Sequence, residues 1–572
     1  MNVTPTAPDR VQRLADFATL TEALDFAALG TTGINIHGMR GELLEAIPYG
    51  DLRRDALALA ARLLAAGISP GDRVGVTAET DGDFVRAFFA CQYAGVIAAP
   101  LPLPAPLGGR DGYIEQVRRM LTSADASAAF GPATLVPWIQ EAAQGLPVRF
   151  VGSIADLPEA PAVDLPARTP EDPAYIQFSS GSTRFPMGVI VTHRALMANA
   201  LAIVRDGLKI TPIDRAVSWL PLFHDMGLVG FLLSPLTAQM TVDLLPTGAF
   251  VRRPLLWLDL MTRNGGTVAY SPSFGYELCA RRAETASIEG LDLSGWRSAG
   301  IGGDMVRAGP LERFVEAFGP VGFSGSAYVA SYGMAEATLA LTMAPLGGGL
   351  VCDTLDVPRL EREGLAVIAA PSDRTRDFAR CGPALPDHEI VVRGEDGEAL
   401  PELSVGRVFA RGPSLMREYF REPDETAKAM SADGWLDTGD LGYFNEGQLV
   451  LTGRAKDLII LNGRNIWPQD LEWSVESEIA ALRSGDVAAF STSSDDEESV
   501  VVLVQCRTKD PEARAALAAE VRALVRARHS VEATVELVGA HALPQTSSGK
   551  LSRAKARNLY LSGVLTPASE PA

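Results

Sequence analysis

The sequence predicts an α/β protein with a large N-terminal domain of layered, parallel-type sheets and a small α+β domain at the C-terminus. Three observations predict it. Short apolar runs alternate with amphipathic segments along most of the chain. At 572 residues the chain exceeds what one core organises. Near Gly453 to Asp457 (GRAKD) the texture changes and the elements become shorter. A boundary there gives domains of 1–454 and 455–572.

The elements follow in order. Leu52 to Gly67 (LRRDALALAARLLAAG) is an amphipathic helix stopped by glycine. A Pro-Gly-Asp turn leads to the strand RVGVTAE, then to a helix over DFVRAFFACQYAG and a buried strand, VIAAPLPLP, with a stiff proline exit. Helix, strand, helix, strand at this spacing implies βαβ units, whose ligands sit beyond the carboxyl ends of the strands. Residues 347–380 contain GGG, LEREG and PSDRTRD and read as an inserted surface excursion with little core of its own. After the boundary come the strands LIIL and VVVLVQC and the helix PEARAALAAEVRALVRARH.

Composition narrows the class. Net charge is −19, spread along the chain, which disfavours nucleic acid as a partner because phosphates need a basic footprint. The five cysteines are scattered without a CxxC pair, so neither a disulfide framework nor a structural zinc site is expected. The N-terminus has no long apolar core of the signal-peptide kind, and no stretch approaches the ~20 apolar residues of a membrane helix. A cytoplasmic enzyme without a transmembrane anchor is the expectation.

Tyr175 to Phe178 (YIQF) reads as a strand and Ser179 to Gly188 (SSGSTRFPMG) as a loop before VIVTHRALMANA. Small and hydroxyl residues let backbone amides and hydroxyls converge on an anion. The loop lacks GxxxxGK[ST], so it is not a P-loop, and alone it also suits a plain polar turn. Further along stand YGMAE (Tyr332 to Glu336), DTGD (Asp437 to Asp440), GRAKD and PQTSSGK (Pro544 to Lys550). In this order and at these separations the chain resembles the adenylate-forming superfamily of acyl-CoA synthetases, luciferases and peptide-synthetase adenylation domains, over nearly its whole length.

That resemblance implies ATP and Mg²⁺ as cofactors and assigns roles. Ser180, Gly181, Ser182 and Thr183 would hold the phosphates. Tyr332, in the run Gly333, Met334, Ala335, would pack on adenine, and Gly302, Gly303 and Asp304 would line the adenine pocket. Glu336 would contribute to magnesium binding. Asp440 would take the ribose hydroxyls, with Arg454 also reaching the ribose. Lys550 would bridge substrate carboxylate and α-phosphate, because two anions must be brought together. Lys456 matches the hinge about which relatives rotate a mobile small domain. Where many members carry PKG, this chain has Pro186, Met187 and Gly188, so a phosphate-side lysine is missing.

Four further stretches, WLPLFHDMG (Trp219 to Gly227), YSPSFGYELCARR, LDLSGWR and NGRNIWPQD, look like the fatty acyl-AMP ligase branch. In that branch an insertion like 347–380 is associated with poor use of coenzyme A and transfer to an acyl-carrier protein. The resemblance therefore implies fatty acid and ATP going to acyl-AMP and pyrophosphate, then acyl transfer to a phosphopantetheine thiol. His224 would either shape the carboxylate site or pack as a satisfied histidine. Phe223, Met226, Phe231, Phe274 and Tyr276 are candidates for an apolar acyl tunnel or for plain core. The rivals are an acyl-CoA ligase and a nucleotide-binding regulatory protein that lost turnover, the latter pointed to by Met187.

Overall fold

The computed structural model describes residues 11–104, 109–179, 187–372, 374–461, 464–494, 497–545 and 550–565. Its α/β class is the predicted one. The chain divides into two compact units: Met1–Val351 with Cys381–Ile390 and Ala410–Leu436, and Cys352–Arg380 with Val391–Phe409 and Asp437–Ala572.

The first unit is built on two sheets. One orders its strands Phe150–Gly152, Ala128–Phe130, Arg73–Thr77, Ile97–Leu101, Pro173–Phe178 and Gly188–Thr192. Neighbours are parallel up to the last pair, which is an antiparallel hairpin. The flanking helices form where the apolar pattern puts them, at Tyr49–Ala65 and Gly82–Ala94. Asp81 caps the second by accepting the Phe84 amide, and Gly95 ends it at φ +71°, a conformation glycine adopts without strain.

The larger sheet orders its strands Ala340–Met343, Tyr328–Gly333, Ser298–Ile301, Val268–Ser271, Arg215–Ser218, Thr241–Leu244, Gly33–His37 and Leu43–Pro48. The six inner strands are parallel and only the two outer pairs are antiparallel. Most inner-strand residues are buried on both faces, which is why these strands read as continuous apolar runs.

The second unit contains a sheet of Val487–Ser494, Glu497–Cys506 and Ala533–Gly539, with helices Pro468–Glu478, Pro511–His529 and Arg553–Leu561. Its central strand is covered on both sides. Val500, Val502 and Val504 pack with Val521 and Val525 of the long helix, whereas Val501 and Leu503 pack with Leu543, Ala556 and Leu565. A second sheet pairs Leu436–Asn445 with Gln448–Arg454.

The segment read as a surface excursion has more core than its composition suggests. Cys352–Asp356 and Thr375–Ala379 form an antiparallel hairpin around the helix Val357–Glu363. Its Leu355, Leu360, Ala366 and Phe378 share one apolar cluster with Tyr443, Val450 and Trp467. Asp353 receives Arg380 Nε at 2.7 Å, Tyr443 Oη at 2.9 Å and Asn445 Nδ2 at 2.9 Å. Charged residues between apolar ones masked these few anchors in the sequence.

The larger sheet encloses a buried carboxylate. Asp243 accepts from Arg215 Nε at 2.6 Å, His37 Nε2 at 2.9 Å, Asn35 Nδ2 at 3.1 Å and Asn264 Nδ2 at 2.9 Å. Burial opposes its charge, but the hydrogen bonds from His37 and Arg215 outweigh burial and hold the carboxyl below its ordinary range. A depressed folded value means stability that is full above the unfolded value and lost as pH falls through the folded one. Asp243→Ala removes the buried carboxylate on which Arg215, His37, Asn35 and Asn264 converge. It is expected to destabilise the first unit by about 3–5 kcal/mol at neutral pH. The gap to the unsubstituted protein should narrow below pH ~4, as read by urea unfolding followed through tryptophan fluorescence.

Candidate functional site

In the first unit, four adjacent parallel strands end side by side, and each delivers one of the singled-out motifs. Arg215–Ser218 runs into WLPLFHDMG, Val268–Ser271 into PSFG, Ser298–Ile301 into Gly302, Gly303 and Asp304, and Tyr328–Gly333 into Met334, Ala335 and Glu336. The carboxyl end of a parallel sheet is where backbone amides and loop side chains are left for a ligand.

Close packing dictates the shape of this edge. Gly303 has φ +78°, and a Cβ there would lie 3.2 Å from Met226 Sδ, so the HDMG turn rests on the glycine pair. Gly300 lies under the Tyr270 ring, where any Cβ would overlap it at 1.9 Å. The Tyr270 hydroxyl is buried near Ser298 and Ser331, and burial pushes it up to about 12. At Gly333 a Cβ would fall 1.7 Å from Leu339 O, which allows the sharp turn from strand into the Ala335–Ala337 helical turn. A bulge between Tyr332 and Gly333 accompanies it.

The side chains sort by environment. Tyr332 is buried at 7 % exposure. Glu336 is also buried, and its Oε1 accepts from Tyr419 Oη at 2.8 Å. Burial, together with the Glu336 charge, holds the Tyr419 phenol well above its ordinary range. Asp304 is exposed and accepts from the Met305 amide at 2.8 Å. His224 caps the short helix Asp225–Leu228, and its Nδ1 lies 2.6 Å from Asp225 Oδ1. The Met226 amide donates to Asp225 Oδ1 at 2.7 Å and, more weakly, to His224 Nδ1 at 3.4 Å. The His224 side chain is 17 % exposed and sits beside that carboxylate.

Ser180, Gly181, Ser182 and Thr183 lie outside the described residues. The neck of their loop is described: the Ser179 amide donates to Met187 O at 2.9 Å, closing the hairpin between Pro173–Phe178 and Gly188–Thr192. Ser179 Oγ is buried, and among the described residues it has no hydrogen-bonding partner. Gln177, two residues earlier, donates to Phe223 O at 2.7 Å and ties this hairpin to the HDMG turn. An orphaned hydroxyl at the loop neck fits an anionic ligand such as a nucleotide phosphate.

In the second unit Asp440 and Arg454 are cross-strand partners, with Arg454 Nε 3.3 Å from Asp440 Oδ1. Asp440 is buried and Arg454 exposed, a pairing that leaves the guanidinium edge accessible. Gly453 is pressed against Trp467 Cδ1, where a Cβ would come within 2.6 Å. Lys456 is exposed in the turn Ala455–Asp457. Lys550 is half-buried just before the helix Arg553–Leu561, and Thr546 to Gly549 lie outside the described residues.

Of the tunnel candidates, Tyr276 is core. It is fully buried, donates to Gly300 O at 2.8 Å and meets Trp257, Trp296, Phe314 and Tyr328 edge-on or stacked. Phe223 and Phe274 are partly exposed at the strand ends. Tyr419, Asp225, Gln177 and Ser179 went unremarked as site residues or were noted only as loop donors. The sequence signal for Tyr419 was weak, a tyrosine in REYFREP far from any glycine-rich motif.

Residues 42–420 match the AMP-binding enzyme family. A Caulobacter vibrioides protein named "Putative acyl-CoA synthetase" is 65% identical over 563 residues, 98% of each chain. JamA of Moorena producens, a medium-chain-fatty-acid–[acyl-carrier-protein] ligase, is 32% identical over 84% of each chain. A solved chain from studies of fatty acyl-adenylate ligases of E. coli and L. pneumophila superposes with TM-score 0.92 at 43% identity, covering 97% of this chain and all of that one.

Gly333→Ala forces the backbone away from Leu339 O and should lower ATP affinity about tenfold, roughly 1.4 kcal/mol. Calorimetric titration with ATP, beside a melting curve, checks this. Unchanged affinity would mean the strand-to-turn bend is not needed for nucleotide binding.

Proposed function

This chain is a member of the AMP-binding enzyme family that adenylates a fatty acid with ATP, and we propose that the acyl group then passes to the phosphopantetheine thiol of an acyl-carrier protein. The observation that carries the reading is the row of four motif-bearing turns at the ends of adjacent parallel strands. The carrier-protein step is supported by the likeness to JamA, an acyl-carrier-protein ligase. The surroundings of such a reaction are the cytoplasm. No helix among the described residues is long and apolar enough to cross a membrane.

In this reading each residue meets a charge or a surface it suits. Ser180 to Thr183, by their residue types, would bind the phosphates together with the Ser179 hydroxyl. Tyr332 offers a ring to adenine beside Gly302 to Asp304. Asp440 accepts from the ribose hydroxyls and Arg454 donates to the ribose. Glu336 would hold Mg²⁺, which would offset phosphate charge there. His224, beside Asp225, would shape the site of the fatty carboxylate. The carboxylate oxygen attacks the α-phosphorus and pyrophosphate leaves. Lys550 offsets the repulsion between the two anions, so no protein nucleophile is required. The working boundary falls at Arg454–Ala455, with Lys456 as hinge.

One second reading has an observation behind it. The 65%-identical Caulobacter relative is named for coenzyme A rather than a carrier protein. Pyrophosphate release across a series of fatty acids, with acyl-AMP then offered to coenzyme A and to a phosphopantetheinylated carrier, separates the two. Transfer to the carrier with acyl-AMP accumulating in coenzyme A is the expected result; efficient coenzyme A ester formation sinks the carrier reading. Lys550→Ala is expected to slow adenylation by about 100-fold or more while ATP binding is largely kept. Single-turnover acyl-AMP formation and equilibrium ATP binding measure the two effects separately.

A further inference from the structure

Residues 414–419 grip the turn that carries Glu336 at three points. The Met416 amide donates to Glu336 O at 2.7 Å, Tyr419 Oη donates to Glu336 Oε1 at 2.8 Å, and Thr338 Oγ1 donates to Ser414 O at 2.7 Å. Ser414 is fixed in turn. Its hydroxyl lies 2.6 Å from His388 Nε2, and His388 Nδ1 lies 2.8 Å from Pro386 O. A carbonyl only accepts, so Nδ1 carries the proton and the Ser414 hydroxyl donates to Nε2.

The geometry of the turn shows why it needs gripping. Thr338 is fully buried at φ +68° and ψ −57°, a conformation that a β-branched residue holds only where its surroundings over-determine it. The hydrogen bond to Ser414 and the hairpin return at Ala340 supply that constraint. The backbone of Glu336 is therefore set by packing, and the Tyr419 phenol reaches its carboxylate. A tyrosine at 6 % exposure could have satisfied its hydroxyl on a carbonyl, as Tyr328 does on Leu311 O and Tyr276 on Gly300 O. Tyr419 instead spends it on the single acid of the Tyr332–Glu336 motif.

Resting on the reading of Glu336 as a magnesium-side carboxylate, we propose that Tyr419 is a positioning residue for that carboxylate: its hydroxyl fixes Oε1, and with it the orientation in which Glu336 meets the nucleotide-bound cation. Partners that orient a metal-binding group in this way typically account for 10–100-fold in metal affinity.

The test uses the full chain, a non-hydrolysable ATP analogue and calorimetry with and without Mg²⁺. The quantity read is the gain in analogue affinity that Mg²⁺ confers. Tyr419→Phe keeps the ring and removes only the hydroxyl. It is expected to reduce that gain tenfold or more, leaving metal-free affinity and fatty-acid KM unchanged, and excess Mg²⁺ should restore the rate. Glu336→Gln is the reference and should abolish the gain. A full gain in Tyr419→Phe beside a lost gain in Glu336→Gln overturns the positioning role and leaves the Glu336 reading standing. A full gain in both variants overturns the Glu336 reading, and this proposal with it. A lowered melting temperature with a rate that excess Mg²⁺ fails to restore assigns the hydroxyl to packing and also overturns the proposal.

Discussion

A carboxylate taken out of water must be answered by donors from several directions, and Asp243 draws its donors from different strands of one sheet. Arg215 lies on a neighbouring strand, Asn35 and His37 on the other neighbour, and Asn264 at the end of the helix Leu255–Asn264. The register of three parallel strands is therefore tied to the geometry of one side chain. The strand holding Arg215 leads directly into the turn that bears His224. Its parallel neighbour, Val268–Ser271, continues the row towards the Gly302 and Tyr332 turns. A one-residue slip beside Asp243 would turn each side chain of the strand to the opposite face. The site's regularity thus rests on a charge buried within the sheet.

Much of this was legible in the sequence because the signals were local. Helices stopped by glycine and strands buried on both faces leave periodic marks, and the structure places them within a few residues of where those marks fall. Motifs such as YGMAE were legible because the backbone there needs glycine or small residues for steric reasons, as at Gly333 and Gly303. What escaped was set by contacts distant in sequence. Tyr419 meets Glu336 across 83 residues, Gln177 meets Phe223 across 46, and Asn35 meets Asp243 across 208. A single side chain with one distant partner has no periodicity to betray it.

The environment of His224 illustrates the same limit on a smaller scale. Two roles were open for it from the sequence, and the structure adds the Asp225 carboxylate 2.6 Å from its Nδ1. The adjacency of histidine and aspartate in HDMG was visible. Whether they faced each other depended on the turn that Gly227 permits, where a Cβ would come within 2.1 Å of Pro221 O.

The hairpin Cys352–Ala379 shares its apolar cluster with Tyr443, Val450 and Trp467, and its Asp353 takes hydrogen bonds from Tyr443 and Asn445. A segment joined in this way is not a detachable module. A lineage that lost it in one deletion would expose a tryptophan and a tyrosine to water and leave Arg380 without its buried partner. Its removal without compensating substitutions on the host strands would therefore be destabilising.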